Sequence, residues 1–157
     1  MIADELPVVA SLLRGQRQAA LGTVDGGAPF VSMVAFVAEQ DFGGVLLHLS
    51  RLSAHTRQLL ADPRAALLVA EPDDGREDVQ TLARITLTGR AAVVPRGTAA
   101  YDAGRALYLD RLPAAAMLFD FADFDLFRLV PDSARYVGGF ARAYTLTTEH
   151  LRAAAGA

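Results

Sequence analysis

Short runs of apolar residues, several alternating with polar ones and separated by turn residues, predict a series of strands with small helices between them. The first segment departs from that rhythm. Val8, Val9, Leu12 and Leu13 recur at helical spacing, Asp4 or a neighbour can cap the helix, Pro7 is tolerated in its first turn, and Gly15 is a stop. Gln18 to Val24 then reads as a strand, Asp25-Gly26-Gly27 as a tight turn, and Pro29 to Ala38 as the returning strand of a hairpin. The nearly continuous apolar character of that return predicts burial on both faces. Val45 to Leu49 is a third strand that runs into a hydroxyl- and cation-rich turn. A short helix follows, with Ser53 as N-cap and its end near Asp62, because Pro63 disfavours helical geometry in the residue before it.

Ala65 to Ala70 is a fourth strand, and Glu71 to Gln80 an acidic loop. Leu82 to Val94 is the longest strand. Arg84, Thr86 and Thr88 share one of its faces and Ile85 and Leu87 the other, while Gly89 interrupts the alternation as a bend or bulge. Thr98 caps a helix that runs to about Asp110, and Pro113 to Leu118 is a second short one. Phe124 to Val130 alternates as a strand. Arg135 to Leu146, with Gly138-Gly139 in its middle, is a last strand or pair of strands, and Thr147 or Thr148 caps a C-terminal helix. Consecutive strands with inserted helices, without strict strand–helix alternation, argue against a doubly wound parallel sheet. They predict a single domain over residues 1–157, mainly β with peripheral helices (α+β): a closed or nearly closed antiparallel barrel.

Composition narrows the chemistry. Apolar residues make up 52% of 157, enough for a real core, and the net charge of −3 argues against a nucleic-acid or anionic-membrane binder. There is no cysteine, which removes disulfides, thiolate metal sites and thiol catalysis. All fifteen basic residues are arginine, so a Schiff-base lysine is excluded. No apolar run approaches the ~18 residues of a membrane helix, and no positively charged leader opens the chain; a cytoplasmic protein is the expectation.

Three histidines are present. His48 lies in an apolar strand and reads as packed, His150 lies near the C-terminus, and neither joins a metal-spaced cluster. No serine-hydrolase elbow, Walker loop or dinucleotide fingerprint appears. Asp73-Asp74 and Asp120, Asp123 and Asp125 read as surface or strand-end acids. The turn after the third strand is different. Arg51, His55 and Arg57 cluster at a helix N-terminus that already carries roughly +0.5 of an elementary charge. Either these cations are simply solvated or an anion offsets them, and a phosphate would use free helix N–H groups, hydroxyls and arginines together. An anion site without an evident base or nucleophile suggests a protein whose chemistry belongs to a phosphorylated cofactor.

These residues carry a resemblance. Leu21-Gly22-Thr23 with Gly26 and Pro29, the segment Leu49 to Leu68, Arg84 to Arg90, and Val137-Gly138-Gly139-Phe140-Ala141-Arg142-Ala143 resemble, in order and spacing, the flavin-binding split-barrel proteins related to pyridoxamine 5′-phosphate oxidase. Within them the chain is most similar to the small branch that also resembles the barrel of haem-utilisation oxygenases. The resemblance spans nearly the whole chain. It implies a six-stranded antiparallel FMN-binding split β-barrel and a homodimer with FMN in a groove between subunits. It further implies that the turn of Ser50, Arg51, Leu52, Ser53, His55, Thr56 and Arg57 receives the FMN phosphate. Ser32, Met33 and Val34 would lie beside the flavin ring, Arg84 would stand where oxidase relatives place a ring-bonding glutamine, and Gly139 and Phe140, with Gly138, would approach from the partner chain.

The chain also departs from pyridoxamine phosphate oxidases. Ser32 and Val37 replace a phosphate-holding arginine and lysine, Ser53-Ala54-His55 replaces Ser-Arg-Lys, and Ala141 to Leu146 lacks the arginine- and tryptophan-containing substrate motif. The resulting expectation is an FMN-dependent oxidoreductase acting on a small molecule. Two alternatives stand beside it: a non-catalytic split-barrel binding protein, and a haem-binding or haem-utilisation protein in which His150, or Arg142 with Arg152, meets haem.

Overall fold

A computed structural model describes all residues from Met1 to Ala157. The elements in chain order are α1 (Ile2–Gly15), β1 (Gln18–Asp25), β2 (Ala28–Ala35), β3 (Val37–Ala38), β4 (Val45–Ser50), α2 (Ala54–Ala61), β5 (Arg64–Ala70), β6 (Arg84–Val93), α3 (Ala99–Arg111), β7 (Phe124–Val137), β8 (Ala143–Leu146) and α4 (Thr148–Ala155). Short 3₁₀ turns occupy Val79–Thr81 and Pro113–Asp120. No helix is long and apolar enough to cross a membrane.

All strands join one antiparallel sheet in the order β2-β1-β5-β6-β7-β4-β3, with β8 added to β7. Because β3 spans two residues and β8 four, six long strands make the barrel wall, as expected. The two ends of the order, β2 and β3, are consecutive in sequence and separated only by Phe36. The expected single strand from Pro29 to Ala38 is therefore bent at Phe36, whose N–H donates to Arg17 O (3.1 Å), and the bend carries the chain from one end of the curled sheet to the other. This is the split of the barrel. It also corrects the expected burial: β2 is an edge strand, and Val31 and Met33 are 67% and 69% exposed.

Two further features close the sheet. The expected strands at Phe124 to Val130 and from Arg135 are one 14-residue strand, β7, which passes through Pro131. Pro131 cannot donate to the ladder, and the register slips opposite it, between Thr88 and Gly89. A Cβ at Gly89 would stand 2.0 Å from Val130 O, so only glycine fits that crossing. Period-2 alternation in β6 sends Ile85 and Leu87 into the barrel and Arg84, Thr86 and Thr88 outward, as expected.

Inside lie Leu21, Leu47, Leu67, Val69, Ile85, Leu87, Phe127 and Leu129, with α1 and α4 packed over one opening through Val9, Leu12, Leu13 and Leu151. Each fully buried aliphatic chain contributes about 1.5–3 kcal/mol. A smaller cluster of Leu46, Val94, Tyr101, Tyr108, Phe119 and Leu126 seats α3 and the 113–120 turn on β4 and β7.

Candidate functional site

The corner between β4 and α2 holds most of the expected site residues. Ser53 takes the extended N-cap conformation and α2 ends at Ala61 with Asp62 as C-cap, both as expected, although the Ser53 side chain makes no capping bond. Gln58 accepts a hydrogen bond from Thr23 Oγ1 (2.6 Å, buried), which pins α2 against β1. With Leu59, Thr56 and Gln58 form the inward side of the helix. Thr56 is fully buried, and its hydroxyl has no partner; it packs rather than touching a surface ligand. His55, on the outward side, meets Ser32 of β2: Ser32 Oγ lies 2.9 Å from His55 Nδ1. Burial lowers the His55 pKa, so the imidazole is neutral near pH 7.

The cationic excess expected at this corner is smaller than the sequence suggests. Arg51 donates from Nε and Nη2 to the buried Asp125 carboxylate at 2.7 and 2.8 Å, so its charge is already matched. With His55 neutral, Arg57 is left as the corner's uncompensated cation; its Nη1 donates to Leu52 O (3.0 Å). Ser50 Oγ is likewise occupied, accepting from the Leu52 N–H (3.2 Å). A phosphate is therefore not needed to balance the helix N-terminus.

The remaining expected residues fall elsewhere. Val34 shares the inner face of β2 with Ser32 but is buried in the core, while Met33 points outward from the edge strand. Arg84 Nη1 donates to Gln80 O (2.6 Å) and Leu82 O (3.0 Å), so it braces the acidic loop rather than offering a free guanidinium to a ligand. Gly139 and Phe140 sit in the loop between β7 and β8. Phe140 is 94% exposed, and the loop base is held by Arg142, which donates to Gly138 O and pairs with Glu5 (3.4 Å). Glu5 in turn accepts the Tyr136 hydroxyl (2.6 Å). No hydrogen bond or ion pair joins this loop to the β4–α2 corner. Arg142 is thus committed to structure.

Sequence reasoning missed Phe30. It shares the inner face of β2 with Ser32, two residues away, and its ring is over a third exposed. Period-2 alternation through Pro29 to Val34 was the available signal. Val31 and Met33 project from the opposite, outer face of the same strand, and Leu52 (78% exposed), whose carbonyl accepts from Arg57, stands in the turn before α2. The outer side of the same hairpin forms the wall of a shallow groove of about 470 Å³, floored by Gly22, Val31 and Ala66 and flanked by Arg90.

Residues 6–138 match the family model described as pyridoxamine 5′-phosphate oxidase. A chloroplastic heme oxygenase of Arabidopsis thaliana, HOZ, is 41% identical over 119 residues, covering 75% of this chain and 34% of that protein. The heme oxygenase HutZ of Vibrio cholerae is 27% identical over 147 residues, covering 92% of this chain and 82% of that one. The structure of a heme-binding protein from Mycobacterium smegmatis superposes with a TM-score of 0.83 at 30% identity, covering 98% of this chain and 60% of that one. The chain thus spans about a third of the Arabidopsis protein and three-fifths of the mycobacterial one. These relatives are described by haem, and that overturns FMN as the expected cofactor; the matched Arg51–Asp125 pair is the physical reason the phosphate argument fails. The fold, the order of the motifs and the extent of the match make this chain a member of the pyridoxamine 5′-phosphate oxidase family, on the branch that includes haem-utilisation proteins.

Proposed function

We propose that this protein binds haem at the exposed apolar edge formed by β2 and the β4–α2 corner. The observation that carries this reading is the conjunction of exposed Phe30 and Leu52 with the carboxylate-free Arg57 and a neutral imidazole that meets Ser32 on the inner face of β2. A porphyrin face is apolar, its propionates are anionic, and its iron takes a neutral imidazole, so each part has a counterpart. The kinship with two heme oxygenases and a heme-binding protein supports the same reading. When bound, haem would supply the redox chemistry of its iron; the chain supplies the surface, the cation and the nitrogen donor.

The outer face of the same strands is the proposed contact of a homodimer. Val31, Met33 and Leu68 form an apolar strip on the outer face of β2, β1 and β5, which a second copy would cover.

The test is a titration of the purified protein with ferric haem, followed by absorbance and by sedimentation. A saturable Soret band at one haem per chain, on a dimeric species, is expected. Haem that stays spectroscopically free overturns the binding reading, and a monomer at micromolar concentration overturns the dimer. Ascorbate and oxygen added to the complex then separate a carrier, which keeps its Soret band, from an oxygenase, which loses it.

A further inference from the structure

Haem held by a protein ordinarily needs one side chain bonded to its iron, and the chain has only three imidazoles to offer. Their surroundings differ sharply. His48 lies flat on Phe119, with ring centroids 3.7 Å apart and planes 4° apart, and is flanked by Tyr108 and Phe124. Both of its nitrogens are sealed from solvent without a partner, so iron would reach them only if the 113–120 turn peeled away.

His150 is exposed enough to be approached but is already committed. Its Nδ1 accepts the backbone N–H of Thr147 (3.0 Å), half of the capping box that starts α4. A neutral imidazole that accepts at Nδ1 carries its hydrogen on Nε2. Bonding iron through Nε2 would move that hydrogen to Nδ1, where the Thr147 hydroxyl (3.2 Å) could accept it, and would cost the cap its Thr147 N–H bond.

His55 has no backbone N–H bound at Nδ1 to lose. Its Nδ1 faces the Ser32 hydroxyl at 2.9 Å, and a hydroxyl can rotate to accept the Nδ1 hydrogen. Nε2 makes no hydrogen bond and is not sealed from solvent, which leaves its lone pair free. Metal-bound imidazoles are usually held in this way, with the second nitrogen donating to a neighbouring acceptor that fixes tautomer and ring plane. The ring sits on a helix clamped by the buried Thr23–Gln58 bond, so its position is set by the barrel rather than by a loop. Phe30 stands on the same strand face as Ser32, and exposed Leu52 lies in the turn that leads into the helix carrying His55.

We propose that His55 bonds the haem iron through Nε2 and that Ser32, through Nδ1, is the positioning residue that holds it in the competent tautomer. The proposal rests on the haem reading above. It assigns to the β2–α2 contact a role that the C-terminal His150 would otherwise be asked to fill.

The experiment uses the full chain with ferric haem, read by absorbance, electron paramagnetic resonance and resonance Raman, with thermal midpoints as the control for folding. His55→Ala is expected to lose the histidine-ligated spectrum and at least tenfold in affinity, with free imidazole restoring the spectrum. His55→Cys is expected to convert it to a thiolate-ligated one, a gained signal that loss of fold cannot imitate. His150→Ala is expected to keep the wild-type spectrum. Ser32→Ala is expected to weaken binding by about tenfold and to shift the iron–histidine stretch, with Ser32→Thr restoring both. A wild-type spectrum in His55→Ala or His55→Cys, or loss of histidine ligation in His150→Ala, overturns the assignment while leaving haem binding intact. A wild-type chain that takes up no haem overturns the functional reading, and this assignment with it.

Discussion

Arg51 clasps Asp125 through two parallel hydrogen bonds, tying the corner after β4 to the start of β7 across 74 residues of chain. The pair is asymmetric. The Asp125 side chain is 7% exposed and the Arg51 side chain 57%. Removing the guanidinium strands a carboxylate away from water, whereas removing the carboxylate frees an arginine that water already solvates. Arg51→Ala should therefore lower the thermal midpoint by about 2–4 °C, and Asp125→Asn by less. The double variant should fall short of the sum of the two. Scanning calorimetry of the four proteins checks this; equal single effects that add would show that the bond contributes nothing beyond its parts.

The same pair marks the limit of what the sequence discloses. Local patterns placed the strands, the α2 boundaries at Ser53 and Asp62, the Gly89 irregularity and the Thr98 and Thr147 caps, because each depends on neighbours within a few residues. The bend at Phe36 left no such trace. The run from Pro29 to Ala38 is apolar but for Ser32, and only closure of the sheet decides where it turns. The charge at residues 51–57 looked uncompensated because its counter-ion is 74 positions away; the phosphate reading was built on that absence. Arg142 misled for the same reason, since its carboxylate partner, Glu5, comes from the first helix; Arg84 is instead held by the nearby carbonyls of Gln80 and Leu82, whose irregular loop strand alternation does not place. Ser32 and His55, which the sequence singled out separately, are brought within 2.9 Å of each other by β2 and α2.

Tyr136 and Glu5 are a second long-range pair, and they govern the β7–β8 loop. The Tyr136 hydroxyl donates to Glu5 Oε2 at 2.6 Å, and both residues are buried. Burial, reinforced by the Glu5 carboxylate, holds the phenol pKa well above its ordinary range, so it remains a donor at any physiological pH. Tyr136→Phe should cost about 1.5–3 kcal/mol in a urea titration, the value of a hydrogen bond to a charged group. A Cβ at Gly138 would meet Tyr136 Oη at 2.5 Å and Glu5 Oε2 at 2.9 Å, so Gly138→Ala should be destabilising in the wild type. In the Tyr136→Phe background, where the hydroxyl is gone, much of that cost should vanish. Equal costs in both backgrounds would place the strain of Gly138→Ala elsewhere.

His48 should make stability depend on mild acid. Burial first, then the charge of Arg96, lowers its pKa from 6.5 to about 4, against a smaller opposing pull from Asp125. Arg96 is fixed beside the cluster by its bonds to Phe121 O (2.9 Å) and Phe124 O (2.8 Å). The unfolded chain takes up a proton near pH 6.5 and the folded one only near pH 4, so between these values the unfolded state binds more protons. Above pH 6.5 the residue adds no pH dependence. As pH falls from 6.5 to 4, folded stability should drop by about 1–3 kcal/mol, allowing for screening at the edge of the cluster, and then level off. His48→Phe keeps a flat ring against Phe119 and removes the proton site. The difference in unfolding free energy between wild type and His48→Phe, measured in urea at pH 7.5, 5.5 and 4.5, should shift progressively against the wild type as the solution is acidified. Subtracting the variant cancels every other titrating group, so a difference that does not change with pH would show that His48 takes up its proton equally easily in both states.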